Sequence, residues 1–199
     1  MSEPHLLPLL GAPPAERRDA ARNRELLLDA ATALVDRIGP RLVTMDAVAA
    51  AAGVGKGTVF RRFQSREGLM AEVLNHRETE WQGQVMSGPP PLGPGADPWE
   101  RLLAFGRTRL DTTLVHAELI REAGRNGARA GGAYAFTFTH VRYLLAQLGV
   151  TGDIPLLATA LLAPLELPID EPHDLEHFPT DRVYAGWVDL ARRVTGRSA

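Results

Sequence analysis

Apolar residues recur along this chain at spacings of three and four, and no stretch alternates strictly between apolar and polar. That pattern predicts helices throughout and no sheet. A first helix runs from Glu16 to Ile38, with Leu27, Ala31, Leu34 and Ile38 in one stripe that Leu28 and Val35 widen, and Gly39-Pro40 stops it. A short helix carries Val48, Ala49 and Ala52 on a narrow apolar face and ends at Gly53. The next carries Val59 and Phe63, four apart and therefore on one face. Ser65 caps a helix that reaches about Trp81 and buries Leu69, Val73 and Leu74. Residues 87–98 hold five prolines and three glycines and predict the clearest loop. From Trp99 to about Arg125, Leu103, Leu110, Leu114 and Leu119 anchor one helix, or two with a kink, because the period drifts. Ala133 to Leu148 reads as another, with Tyr134, Phe138, Val141, Leu145 and Leu148 together.

The last two helices differ from the rest. Asp153 caps one of them, with Pro155 in the first turn where a missing N–H costs little. Leu156, Leu157, Leu161, Leu162 and Leu165 then surround it, and a helix apolar nearly all round must be covered on both sides. The final helix, from about Thr180 to Val194, puts Val183, Trp187, Leu190 and Val194 on one face and Tyr184, Val188 and Ala191 beside it. One face closes the core and the other is left for a second subunit. The expected interface is Leu157, Leu161, Leu165, Trp187 and Val188.

The two short helices from Thr44 to Phe63 carry the chemistry. Thr44 caps the first, Asp46 adds negative charge to its first turn, and Gly53 supplies positive φ at its end. Val54 lies in the turn and Gly55 caps the second helix. With Val59 and Phe63 inward, Lys56, Thr58, Arg61 and Arg62 face outward, and Phe60 is assigned to neither side. This is the layout of a helix-turn-helix that sets its second helix in the major groove of DNA.

The same stretch resembles the tetracycline-repressor (TetR-like) family of bacterial transcription regulators. Thr44, Val48-Ala49, Ala52-Gly53-Val54, Gly57-Thr58-Val59-Phe60, Phe63, Ser65-Arg66-Glu67 and Leu69 follow the family's order and spacing without a gap. The likeness extends over roughly residues 17–75; beyond them it is one of length and helical pattern. The family usually has Ser where this chain has Gly55, a change that weakens the cap by a few tenths of a kcal/mol. It commonly has Tyr at Phe60, whose ring here can pack on a sugar-phosphate wall but cannot bond a phosphate. The resemblance implies an all-α protein: a disordered tail at 1–15, a three-helix helix-turn-helix DNA-binding domain at 16–64, and a helical effector-binding and dimerisation domain at 65–199.

It also implies partners. Double-stranded operator DNA would meet Gly55, Lys56, Gly57, Thr58, Arg61 and Arg62, with Thr44, Phe60 and Arg66 on the phosphate backbone. The basic start of the first helix, Arg17, Arg18, Arg22 and Arg24, would lie near that backbone. A second copy of the chain would pair through the last two helices. A small-molecule effector, mainly apolar, would sit between helices of residues 99–148, where Phe105, His116, Tyr134 and Phe138 are the candidate wall. The expected function is a dimeric repressor released from a palindromic operator by its effector. The alternatives are an activator, and an all-α small-molecule-binding protein or enzyme that does not regulate DNA.

Composition changes this picture little. The 199-residue chain has 45% hydrophobic residues, enough for a core, and no cysteine, so disulfides and thiolate metal sites are excluded. The proline-containing start lacks a signal peptide's basic region and long apolar run, no segment is apolar enough to span a membrane, and a cytoplasmic protein is expected. Net charge is −2, but residues 41–66 hold five basic residues against Asp46 alone, while residues 78–199 hold 11 basic and 15 acidic. A basic end on an acidic body suits a DNA reader with a separate sensor. Gly53-Val-Gly-Lys-Gly-Thr58 departs from a phosphate-binding loop, because Gly57 separates Lys56 from Thr58 and a helix precedes it. His173 and His177 stand four apart among acids and prolines, where a solvated loop is expected and no metal site. Neither a catalytic constellation nor a cofactor motif is present, so no cofactor and no enzyme activity are expected.

Overall fold

The computed structural model describes residues 15–124, 131–170 and 179–197, with side chains throughout except at 15–21, 120, 131–133 and 167–170. Of the expected tail at 1–15, residues 1–14 lie outside the described residues, while Ala15 already begins a helix; the His173/His177 pair and the Arg17 and Arg18 side chains lie outside them too. Every described element is helical. Helix α1 is Ala15–Ile38, a 3-10 turn covers Pro40–Leu42, α2 is Met45–Ala51 and α3 is Lys56–Phe63. Helix α4 is Arg66–Ser87 and α5 is Pro98–Ala123. Then come α6 (Gly131–Gln147), α7 (Ile154–Asp170) and α8 (Thr180–Thr195).

Local chemistry sets these boundaries. Gly39 and Gly53 adopt φ of 79° and 66°, a region a side chain disfavours, and so turn the chain after α1 and α2. The Ala47 N–H donates to Thr44 Oγ1 at 3.1 Å, and the Gly68 N–H to Ser65 Oγ at 3.1 Å, so both expected caps are formed. The Leu156 N–H likewise donates to Asp153 Oδ1 at 3.0 Å. Helix α4 runs past Trp81 because Trp81 and Val85 continue its buried stripe. Helix α5 is a single element over residues expected to hold one helix or two.

Two apolar clusters organise the chain. The first joins Leu27, Leu28, Ala31 and Leu34 of α1 to Val48, Val59, Phe63, and Leu69, Met70 and Val73 of α4. Leu119 and Ala123, at the end of α5, also lie in it. The boundary expected between residues 64 and 65 therefore does not coincide with a gap in packing: the start of α4 and the end of α5 both belong to the head. The second cluster joins α4, α5, α6, α7 and α8 around Phe105, Leu144, Leu145, Leu161, Leu162 and Trp187.

That second cluster takes in three of the five residues expected at a dimer interface. Leu161, Leu165 and Trp187 are at most 2% exposed within a single chain, and Leu157 and Val188 pack partly against them. The reason is Gly106. A Cβ there would meet the Trp187 ring at 2.2 Å, so the missing side chain makes a slot into which the indole fits. Its Nε1–H then donates to the Leu161 carbonyl at 2.8 Å. The face left outward on α7 carries Leu156, Thr159, Ala160 and Ala163, and on α8 it carries Ala185, Gly186 and Asp189.

Candidate nucleic-acid interface

Helix α3 is an eight-residue amphipathic element held from behind by Val59 and Phe63, both buried against α1, α2 and α4. The rest of its surface faces out. Lys56, Gly57, Phe60, Arg61 and Arg62 are exposed and Thr58 is half-buried. Phe60 is thus settled as an outward residue. No side chain caps the N-terminus of α3 at Gly55. A Cβ at Gly55 or at Gly57 would meet nothing within 4 Å, so open space lies over the first turn and a large flat partner can approach its N–H groups.

The charges on this face differ in readiness. Arg61 and Arg62 have no ion-pair partner among the described residues. Lys56 Nζ lies 2.5 Å from Asp46 Oδ2, with both groups exposed. Such a pair contributes little to stability and exchanges easily for a phosphate. Thr44 is exposed beside them, with its hydroxyl oxygen already accepting the cap bond. Arg22 is exposed on α1, whereas Arg24 pairs with Glu72 of α4 and is drawn into the head's own structure.

Arg66 requires a correction. It was expected on the DNA backbone, but its guanidinium is turned inward. Nε donates to the Val43 carbonyl at 2.9 Å, and Nη2 to the Pro40 and Arg41 carbonyls at 2.6 and 3.2 Å. Nη1 donates to Glu122 at 2.6 Å. Three carbonyls and a carboxylate in one place outcompete water for a planar donor set. Gln64, which the sequence did not single out, caps α3 with φ of 64° and is exposed beside Arg61.

The four expected effector-wall residues do not converge. Phe105 is fully buried, with ring centroids 5.3 Å from both Trp81 and His140. Tyr134, exposed, and Phe138, half-buried against the body's cluster, stack at 5.9 Å, with the Arg142 guanidinium over Phe138. His116 lies elsewhere, on the α5 face that also carries Arg109 and Thr113. Burial, then the nearby Arg77 and Arg109 charges, push its pKa down to about 4. His140 is likewise pushed to about 4 by burial and by Arg101, and its Nε2 is buried without a partner.

Charge is also buried in this region. Arg109 is buried against two carboxylates: Nε and Nη2 donate to Glu166 at 2.8 and 3.0 Å, and Nη1 to Glu78 at 2.9 Å. An open groove of about 550 Å³ lies instead between α5 and the start of α8, lined by Arg107, Asp111, Leu114, Val115 and residues 179–181. None of the four candidates lines it. Among the described residues no group of three or more His, Asp or Glu side chains could hold a metal, and no helix is long and apolar enough to cross a membrane.

Comparison with known proteins falls on the same residues. Positions 27–73 match the model of bacterial regulatory proteins of the tetR family. An HTH-type transcriptional regulator of Mycobacterium tuberculosis is 35% identical over 96 residues, 48% of this chain and 45% of that protein. The chain spans less than half the length of the curated relatives it matches. A TetR-family regulator from Pectobacterium atrosepticum superposes with a TM-score of 0.67 at 20% identity, over 89% of this chain and 94% of that one. NalD of Pseudomonas aeruginosa, the secondary repressor of the MexAB-OprM multidrug efflux pump, does so with a TM-score of 0.53 at 19% identity, over 87% and 97%. At such identities the structural likeness is one of fold. The head, over residues 27–73, is similar in sequence to the tetR family, and the described length shares the fold of TetR-family regulators.

Proposed function

We propose that this chain is a homodimeric, DNA-binding transcription regulator, a repressor that a small molecule releases from a palindromic operator. The observation that carries it is the outer face of α3. Lys56, Arg61 and Arg62 point out beside Phe60 and an uncapped first turn, on a helix whose other face is locked into the head's core. A compact basic helix whose two arginines have no ion-pair partner among the described residues, and whose lysine holds only an exposed pair, suits a major groove, where Arg and Lys read guanine edges and neighbouring groups touch phosphate. Thr44, Gly55, Gly57 and Thr58 border that face.

Two copies are required to read two half-sites about 34–36 Å apart. The outward face of α7 and α8, with Leu156, Ala160, Ala163, Ala185 and Gly186, is the surface assigned to the second copy, since, Leu156 apart, the larger apolar residues of both helices pack at least partly within the chain. Its small side chains permit close helix contact. The reading head and the helical body would then act as separate DNA-binding and effector domains. The repressor role is supported by likeness in fold to NalD and by the division of exposed basic charge from a body with buried polar groups.

The test is selection of duplexes from random sequence by the full-length protein, with sedimentation of the same sample at micromolar concentration. An inverted repeat bound by a dimer is expected. Enrichment of no symmetric duplex, or a monomer bound to DNA, would overturn the proposal.

A further inference from the structure

The first residue of α4 stands where three segments meet. Four of the five N–H donors of the Arg66 guanidinium are engaged, three with carbonyls of residues 40, 41 and 43 and one with Glu122. The three carbonyls belong to the turn that feeds directly into the Thr44 cap of α2. Glu122 belongs to the last turn of α5, whose Leu119 and Ala123 are buried in the head's core. Arg41 reaches toward the same turn, with its Nε 3.8 Å from Glu122 and 3.9 Å from Glu118. The head is therefore attached to the body twice: once through α4 as it leaves, and once through α5 as its end returns.

Helix α5 is continuous from Pro98 to Ala123. The buried Arg109, Thr113 and His116 lie on it within the body, and Glu122 lies fewer than two turns beyond His116. A shift of α5 in the body cannot be absorbed by a break in the helix. It moves Glu122, and with it the guanidinium that fixes the 40–43 turn and the entry to α2.

We propose that Arg66 is a positioning residue, and that its joint with Glu122 sets the angle of the α2–α3 unit and reports the state of the body to the DNA. This rests on the DNA-binding reading above. It assigns Arg66 a part opposite to that of a phosphate contact, since its donors are already used inside the protein. Arg61 and Arg62, without ion-pair partners among the described residues, stay available for DNA at that end.

The sign of one substitution separates the two roles. Glu122→Gln removes a negative charge near a DNA-binding surface, so electrostatics alone would tighten binding. A broken joint weakens it instead. Arg66→Lys keeps the charge, and with it a phosphate contact, but a single ammonium cannot replace the planar fork that spans three carbonyls and a carboxylate.

The experiment measures affinity for a duplex enriched from random sequence by the wild-type protein, at several salt concentrations, together with amide hydrogen exchange of the DNA-free full-length chain. Glu122→Gln, Arg66→Lys and Arg66→Gln are each expected to weaken binding, on the order of tenfold. The double change Arg66→Gln with Glu122→Gln should be no worse than Arg66→Gln alone, and the salt dependence should stay that of the wild type. Exchange should quicken in residues 41–45 and stay unchanged in α7 and α8. The proposal is overturned if Glu122→Gln binds as well as or better than wild type. It is also overturned if Arg66→Lys retains full affinity while Arg66→Gln lowers the salt slope by about one unit, or if exchange in residues 41–45 does not change. Should the wild type enrich no duplex, the DNA-binding reading fails and the exchange result alone decides whether the joint exists.

Discussion

Around α2 and α3 the buried side chains are Val43, Met45, Val48, Ala49, Val59 and Phe63, all apolar, whereas α5 and α6 bury Arg101, Arg109, Thr113, His116, Thr137 and His140 among their leucines. Helices α2 and α3 keep their charges outside, where a partner can reach them. The body takes charges in, where each must be paired or held neutral. An apolar core defines a shape and little else. Buried polar groups hold one arrangement of helices against others, and that arrangement can be altered by a proton or by a ligand's polar atoms. The two regions therefore suit different tasks, one a rigid reading surface and the other a responsive interior.

The sharpest way to break this contrast is to remove the centre of the buried network. Arg109→Met leaves Glu78 and Glu166 facing each other without a cation. The expected loss is ~3–5 kcal/mol of stability, read as a shift of the urea midpoint. A loss below about 1 kcal/mol would mean that the two carboxylates reach water and that the body is not dry there.

Acid should act on the body next. His116 and His140 have pKa values lowered to about 4 in the folded chain, from 6.5 as the ordinary value. Between those values the unfolded chain binds more protons than the folded one. Their contribution is therefore fully present above about pH 6.5 and is lost as pH falls toward 4. Thermal unfolding from pH 7.5 to 4.5 should show a steeper fall for wild type than for a His116→Gln, His140→Gln variant. Parallel curves would place both histidines in water.

The smallest effect belongs to the head. Thr44→Ala removes the hydroxyl that accepts the Ala47 N–H, and about 1 kcal/mol of stability should go with it. Circular dichroism during denaturation reads this directly. No change at all would mean that water replaces the cap without cost.

Legibility in the sequence follows the range of the interaction concerned. Caps at Thr44, Ser65 and Asp153, the turns at Gly39 and Gly53, and the inward pair Val59 and Phe63 depend on residues within a few positions of each other, and the structure forms them as expected. Long-range partner choice was not legible. Trp187 has the periodicity of an interface residue, and only the slot left by Gly106, far away in the chain, draws it inside. Arg66 fits the motif's phosphate position, and only its distant partners, the carbonyls of residues 40, 41 and 43 and Glu122, 56 residues later, show it turned inward. Tyr134 and Phe138 stack as a shared helical face predicts, but Tyr134 is exposed and Phe138 only half-buried, while Val141 and Leu145 of the same face are buried and His140 meets Phe105.

The contrast between head and body rests finally on what the outer face of α3 does. The direct measurement is the titration of an enriched duplex with wild type and with Arg61→Ala, Arg62→Ala protein over a range of salt. The variant is expected to keep its helix content and its assembly, to bind at least tenfold more weakly, and to show a shallower dependence of affinity on salt, by roughly one unit for each phosphate that the shortened side chains no longer reach. Equal affinity and equal salt dependence in the two proteins would contradict the assignment of α3 as the reading helix.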